Sequence, residues 1–154
     1  MSARFEKTVL IAAVPEAVWA ALTRPEQMKQ WMGEPEMELA IETAWQVSGL
    51  ILIGGFHHVP FENKGVVLEY EPFRVLAYTH LSSLSRLEDR SENHTILRFE
   101  LSPMAGHTSL TLMMEGFATE SIYQHLRFYW LTTLEKIKAC ITVSYPCGGF
   151  GSFP

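Results

Sequence analysis

The sequence predicts an α+β fold: a curved antiparallel sheet of six to seven strands around one long C-terminal helix, with two short helices after the first strand. Three observations lead there. Strand-like segments separated by short turn signals fill the middle of the chain. No helical stretch of roughly 10–15 residues interrupts them, which argues against βαβ units and a parallel sheet. Near the C-terminus an apolar stripe at steps of three and four then continues for more than five turns.

The elements follow in order. Phe5, Lys7, Val9 and Ile11 alternate with Arg4, Glu6, Thr8 and Leu10, a period of two that marks a strand. Pro15 suits a first helical position and Glu16 favours the helix dipole; Val18, Trp19 and Leu22 then recur at helical spacing. Pro25 and Glu26 repeat the signal, so two helices are expected over 15–22 and 25–31, the second ended by Gly33 and Pro35. Strands are expected near 37–43, 46–54, 62–70, 74–83, 94–102 and 107–115. The turn signals between them are Gly54-Gly55, Glu71-Pro72, the polar Ser85–Asn93 stretch and Pro103-Met104-Ala105-Gly106. Tyr123, Leu126, Trp130, Leu134, Ile137 and Ile141 form the stripe of the long helix, with Ser121 as its expected N-cap and Gln124 completing a capping box. The expected domain spans 1–145, and a tail follows over 146–154, whose Phe150 and Phe153 are expected to dock on the sheet or on a second subunit.

Composition narrows the function classes. Of the 154 residues, 47% are hydrophobic and 19% charged, enough apolar material for one core. The net charge of −5 argues against a nucleic-acid partner, which needs a basic surface. The longest apolar run, Gly49 to Phe56, is far below the ~18 residues of a membrane span, and Met1–Glu6 shows no secretory leader, so no membrane span and a cytoplasmic location are expected. Cys140 and Cys147 lack redox or zinc spacing and read as free thiols. No cofactor and no metal are expected. His57 and His58 are adjacent, and adjacent strand residues point to opposite faces. There is no nucleophile elbow, and Gly148-Gly149-Phe150-Gly151 follows a helix, the wrong context for a phosphate loop. Glu69 and Glu115 read as solvated or salt-bridged.

A set of short motifs, in order, resembles one family. Ala13-Val14-Pro15-Glu16-Ala17-Val18-Trp19 is similar to the A-P-x-x-V-W start of the activator-of-heat-shock-ATPase branch of the START-like (SRPBCC) superfamily, and Gln30-Trp31 to the end of its second helix. Gly65-x-Val67-x-Glu69-x-x-Pro72, Leu76-x-Tyr78-Thr79, the Gly106–Leu110 hairpin, Glu115-Gly116-Phe117 and Trp130-x-x-x-Leu134 resemble later motifs of that branch. The resemblance covers residues 4–142 and implies the helix-grip fold, with a cavity for a small apolar molecule between sheet and long helix. One departure stands out: His80 occupies a strand position where the family often has Trp. The eukaryotic co-chaperone of this branch carries a further domain N-terminal to its domain of this fold, so the resemblance alone does not imply chaperone binding.

The expected lining of such a cavity is Trp31, Leu76, Tyr78, His80, Leu97, Phe99, Leu112, Tyr123 and Trp130, with Leu110 on the same inner face. Tyr78 and His80 are its candidate polar groups, since a phenol or an imidazole can orient an otherwise apolar guest. The leading reading is a binding or carrier domain for a small apolar molecule. The alternatives are an enzyme of the cyclase or hydratase kind acting through His80 and Tyr78, and a chaperone-associated interaction module. A homodimer is a further expectation.

Overall fold

Strand alternation and apolar helical stripes converge on one shared core in the computed structural model, which describes residues 3–142. The expected tail 146–154, with Phe150 and Phe153, lies outside the described residues. Strand β1 (Phe5–Ile11) leads into helices α1 (Pro15–Thr23) and α2 (Pro25–Met32). Strands β2 (Ala40–Thr43), β3 (Leu50–His57), β4 (Val59–Glu71), β5 (Val75–Ser82), β6 (Thr95–Met104) and β7 (His107–Glu115) follow, and helix α3 (Glu120–Thr142) ends the described chain. All strands pair antiparallel in one seven-stranded sheet of order β1-β7-β6-β5-β4-β3-β2.

The sheet has two chemically different faces. Phe5, Val9, Ile51, Ile53, Leu76, Leu97, Phe99, Leu110 and Leu112 are buried on the concave side. Leu126, Trp130, Leu134 and Ile137 of α3 are buried against that side, as the stripe predicts. Lys7 shares the concave face and answers Glu135 of α3 at 3.6 Å. The convex face is polar by contrast, with Thr8 and Thr111 bonded across strands at 2.7 Å and Arg98 paired to both Glu69 and Glu100. Glu115 meets Arg4 at 3.6 Å, so both carboxylates singled out in the sequence are ion-paired.

Five local expectations are corrected. Gly54-Gly55 is not a turn: β3 runs through it, and the chain reverses at His58, whose φ is 67°. Glycine is needed at 55 for proximity, since a Cβ there would lie 3.0 Å from the Met37 carbonyl oxygen and from the Phe61 ring. β3 also begins at Leu50 and not 46, because Trp45 (φ 50°) and Ser48 (φ 72°) turn the preceding segment into a loop. Likewise β2 begins only at Ala40; Pro35–Met37 forms a single 3₁₀ turn ended by Glu38 at φ 50°. Thr119, not Ser121, caps α3: its hydroxyl accepts the Ile122 N–H at 3.1 Å, and Gln124 donates to Glu120 instead of closing a capping box. Cys140 is disulfide-bonded and not a free thiol, while Cys147 lies outside the described residues.

Candidate functional site

Alternation along β5 places Leu76, Tyr78 and His80 on the concave face, and Ala77 and Thr79 on the other. Their partners on β6 are Phe99, Leu97 and Thr95 respectively, and Leu112 of β7 lies opposite Phe99. From α3, Trp130 meets Phe99 edge-on at 5.6 Å, and from α2 Trp31 lies 5.9 Å from Trp130. Tyr78 lies 6.1 Å from Phe99 on the other side. Trp31, Trp130, Phe99 and Tyr78 thus form one aromatic row between sheet and helices. Tyr123 is not part of it: its ring packs on Phe117 at 4.9 Å, near the start of α3.

The row continues into residues that sequence reasoning did not select. Trp45 lies 6.1 Å from Tyr78 and stacks on Tyr70 at 6.0 Å, and Trp19 meets Tyr70 at 5.4 Å. Tyr70 was hidden by a β-bulge between Val67 and Glu69, which shifts strand parity by one and turns Tyr70 inward. Trp45 was hidden because its segment reads as strand.

Two polar groups on this face stand out. The Tyr78 hydroxyl forms no hydrogen bond to any described residue, and the same holds for the His80 ring nitrogens. Every fully enclosed polar side-chain atom among the described residues is bonded, so these groups retain a sliver of accessible surface. Burial raises the Tyr78 pKa above the ordinary phenol value, reinforced by Tyr129 nearby, and the group stays neutral. Tyr129 donates to the Met32 carbonyl at 2.9 Å, and burial pushes its pKa up to about 12. Burial pushes His80 down to about 4, helped by the proximity of His125 and His94. At neutral pH His80 is therefore an uncharged ring with one donor and one acceptor.

The His80 shift has a sign that can be measured. Its folded pKa lies below the unfolded value of 6.5, so the unfolded chain binds the proton more readily. Its contribution is complete above about pH 6.5 and is lost as pH falls toward 4. Allowing for the partly accessible ring edge, about 2 kcal/mol is expected to disappear over that window. Urea melts across the window should show this slope, and His80→Phe should flatten it; an unchanged slope in the variant would refute the assignment.

A second polar cluster lies on the opposite face of β5. Thr79 accepts the Val66 N–H at 3.0 Å and bonds His94 Nδ1 at 2.8 Å. His94 Nε2 bonds Asp89 at 2.7 Å, and Asp89 accepts from Lys64 at 3.0 Å. The network is satisfied with Nε2–H donating to the carboxylate and Nδ1 accepting the Thr79 hydroxyl proton. The hydrogen bonds from His94 and Lys64 hold the Asp89 carboxyl below the ordinary range. Composition resembles a nucleophile relay, but the Thr79 oxygen is committed between two strands. Its evident role is to fasten the segment between β5 and β6 to the sheet.

Neither of two small clefts among the described residues opens between the concave face and α3. One of about 230 Å³ lies on the convex face between Glu69, Ala77, Ile96, Arg98 and Met113. The other, about 220 Å³, lies where Ala17, Ala21, Gln30 and Trp31 approach Cys140 and Ile141. Among the described residues no three His, Cys, Asp or Glu side chains gather to hold a metal, and the His57 and His58 rings lie 4.7 Å apart. No helix of the described residues is long and apolar enough to cross a membrane.

Comparison with known proteins places this geometry in context. A solution structure from Cytophaga hutchinsonii is 26% identical, covers 88% of this chain and 91% of its own, and superposes with a TM-score of 0.73. A crystal structure from Chromobacterium violaceum shares 18% identity over 92% of this chain and 99% of its own, at a TM-score of 0.76. The solution structure described as the Aha1 dimer from Colwellia psychrerythraea shares 18% identity over 92% and 97%, at 0.72. No curated protein matches the chain. The family described as activator of Hsp90 ATPase homolog 1-like protein matches residues 12–142. The seven-stranded antiparallel grip on α3 and that match agree: the chain belongs to the activator of Hsp90 ATPase homolog 1-like family, within the SRPBCC fold.

Proposed function

We propose that the domain binds and carries a small apolar molecule on its concave face, against Leu76, Tyr78, His80, Phe99, Leu112 and Trp130. One observation carries the reading: Tyr78 and His80 point to the same face, and neither side chain hydrogen-bonds a described residue. A phenol and an imidazole that keep some accessible surface beside an apolar core can each bond a guest, so a molecule offering one acceptor and one donor would be oriented there. Of the remaining expected lining residues, Trp31 and Leu97 pack beside Trp130 and Tyr78, while Tyr123 packs on Phe117 away from them.

Carrying is favoured over cyclase or hydratase chemistry by His80 itself. A ring with a pKa near 4 is a poor proton acceptor at neutral pH, whereas it bonds a guest well. One neighbour and the family name support other roles. One neighbour is described as a dimer, which supports self-association, to be read by light scattering. The family name supports a chaperone-associated role, to be read by pull-down of a stoichiometric partner.

The test is native mass spectrometry of freshly purified protein together with thermal-shift screening of apolar compounds. Bound compounds should raise Tm in the wild type. Tyr78→Phe keeps the ring and is expected to change the unfolding free energy by less than about 1.5 kcal/mol, while most of the ligand-induced rise in Tm is lost. No co-purified ligand and no shift with any compound class would overturn the reading.

A further inference from the structure

Within the loop 44–49, Ala44, Gln46, Val47 and Ser48 are exposed, and Trp45 alone among the larger side chains turns inward. Its indole stacks on Tyr70 with an interplanar angle of 19°, leans on Tyr78 at 6.1 Å, and donates Nε1–H to the Thr23 carbonyl at 2.6 Å. Thr23 is the last residue of α1, so that carbonyl has no partner within the helix. Aromatic planes on two sides and one unclaimed acceptor define a box, and Trp45 fills it.

The backbone behind this side chain is under strain. Trp45 sits at φ 50°, a left-handed conformation that is rare for a bulky residue and costs about 1 kcal/mol or more. The loop is pinned at its ends: Trp45 N–H reaches Thr43 Oγ1 at 3.0 Å, and Ser48 and Gly49 exchange hydrogen bonds with Val67 at 2.8 and 2.9 Å. Between the pins, the indole is the main inward anchor. Trp31 makes the contrast: it donates to the Ala21 carbonyl at 2.8 Å, but from helix α2 and at 2% exposure. Trp31 is fixed core, and Trp45 is an insertion from a loop.

We propose that Trp45 is a displaceable plug of the ligand face, and that the guest it stands in for is a planar aromatic molecule bearing an N–H or O–H donor. The proposal rests on the carrier reading and narrows its ligand class. A flat ring stacks on Tyr70 as the indole does, and its donor satisfies Thr23. An aliphatic chain cannot stack, so even one whose terminal hydroxyl reaches Thr23 recovers only part of the contacts that the indole makes. Opening is a competition, so the apparent affinity is reduced by the fraction of molecules in which the indole has left the box.

The experiment measures binding of 2-naphthol, 2-methoxynaphthalene and 1-dodecanol by calorimetry to the wild type and to Trp45→Ala. In parallel, the Trp45 indole N–H resonance of the wild type is followed by NMR during 2-naphthol addition. The expected result is 2-naphthol binding about tenfold tighter to Trp45→Ala than to wild type, weaker binding of the methoxy compound, and loss of the hydrogen-bonded indole resonance. Should the variant not fold, the wild-type resonance alone decides. Binding of 1-dodecanol with no 2-naphthol effect and an unmoved resonance overturns the plug and leaves the carrier reading standing. Binding of none of the three to either protein, again with an unmoved resonance, overturns the plug and counts against the carrier reading as well.

Discussion

Gly65→Ala is expected to destabilise the domain by about 3 kcal/mol or more, a large fraction of the net stability of a typical domain. A Cβ at this position would overlap the Thr79 carbonyl oxygen and stand 2.8 Å from its carbon, with Ile51 Cγ2 at 3.2 Å. The obstacle is sheet backbone, so no rotamer change relieves it. Close approach of β4 and β5 is built into the network here: Val66 N–H is directed to the Thr79 hydroxyl, and Thr79 in turn holds His94. Pushing the strands apart would therefore also loosen the Lys64–Asp89–His94 chain. Gly54→Ala supplies the control, since the nearest atom to a Cβ there is the Phe61 carbonyl oxygen at an ordinary 3.7 Å. Urea unfolding of both variants should separate them by about 2 kcal/mol or more; equal midpoints would refute the account.

Trp130→Ala is expected to cost about 4 kcal/mol, the range for removing a buried aromatic from a packed core. Trp130 is 5% exposed and touches Phe99, Trp31 and Tyr129 at 5.6, 5.9 and 5.3 Å. It therefore joins sheet, α2 and α3 at one point, and its loss opens a void that three separate elements cannot all close. Trp130→Phe keeps a ring in the gap and should recover more than half of the loss in the same denaturation experiment. A loss below 1 kcal/mol for the alanine variant would mean that the aromatic row is not the core that couples helix to sheet.

Much of this architecture was legible because it depends on periodicity. The stripe from Leu126 to Ile137 and the alternation of Leu76, Tyr78 and His80 are consequences of helix and strand geometry, and both fall on the faces expected of them. What escaped depends on single backbone conformations. Trp45 at φ 50° and the bulge at Leu68 each change which side chain faces inward, and neither leaves a periodic trace. Glycines misled for a related reason: Gly54-Gly55 reads as a turn, yet the need at Gly55 is for closeness to Met37 and Phe61. The Asp89–His94–Thr79 network escaped because its members sit on a strand and in the loop after it, at spacings that match no catalytic motif.

The strand order carries a consequence for how the molecule assembles. From β2 to β7 each strand pairs with its neighbour in sequence, through hairpins that need little chain closure. β1 is different: Phe5 pairs with Met114 and Val9 with Leu110, the most distant contacts of the sheet. Six strands can thus zip up locally, while the first-made segment waits for the last strand before it has an edge to join. Late docking of β1 predicts that Val9→Ala accelerates unfolding and leaves the folding rate nearly unchanged in stopped-flow measurements, whereas a matching slowdown in folding would place β1 in the nucleus.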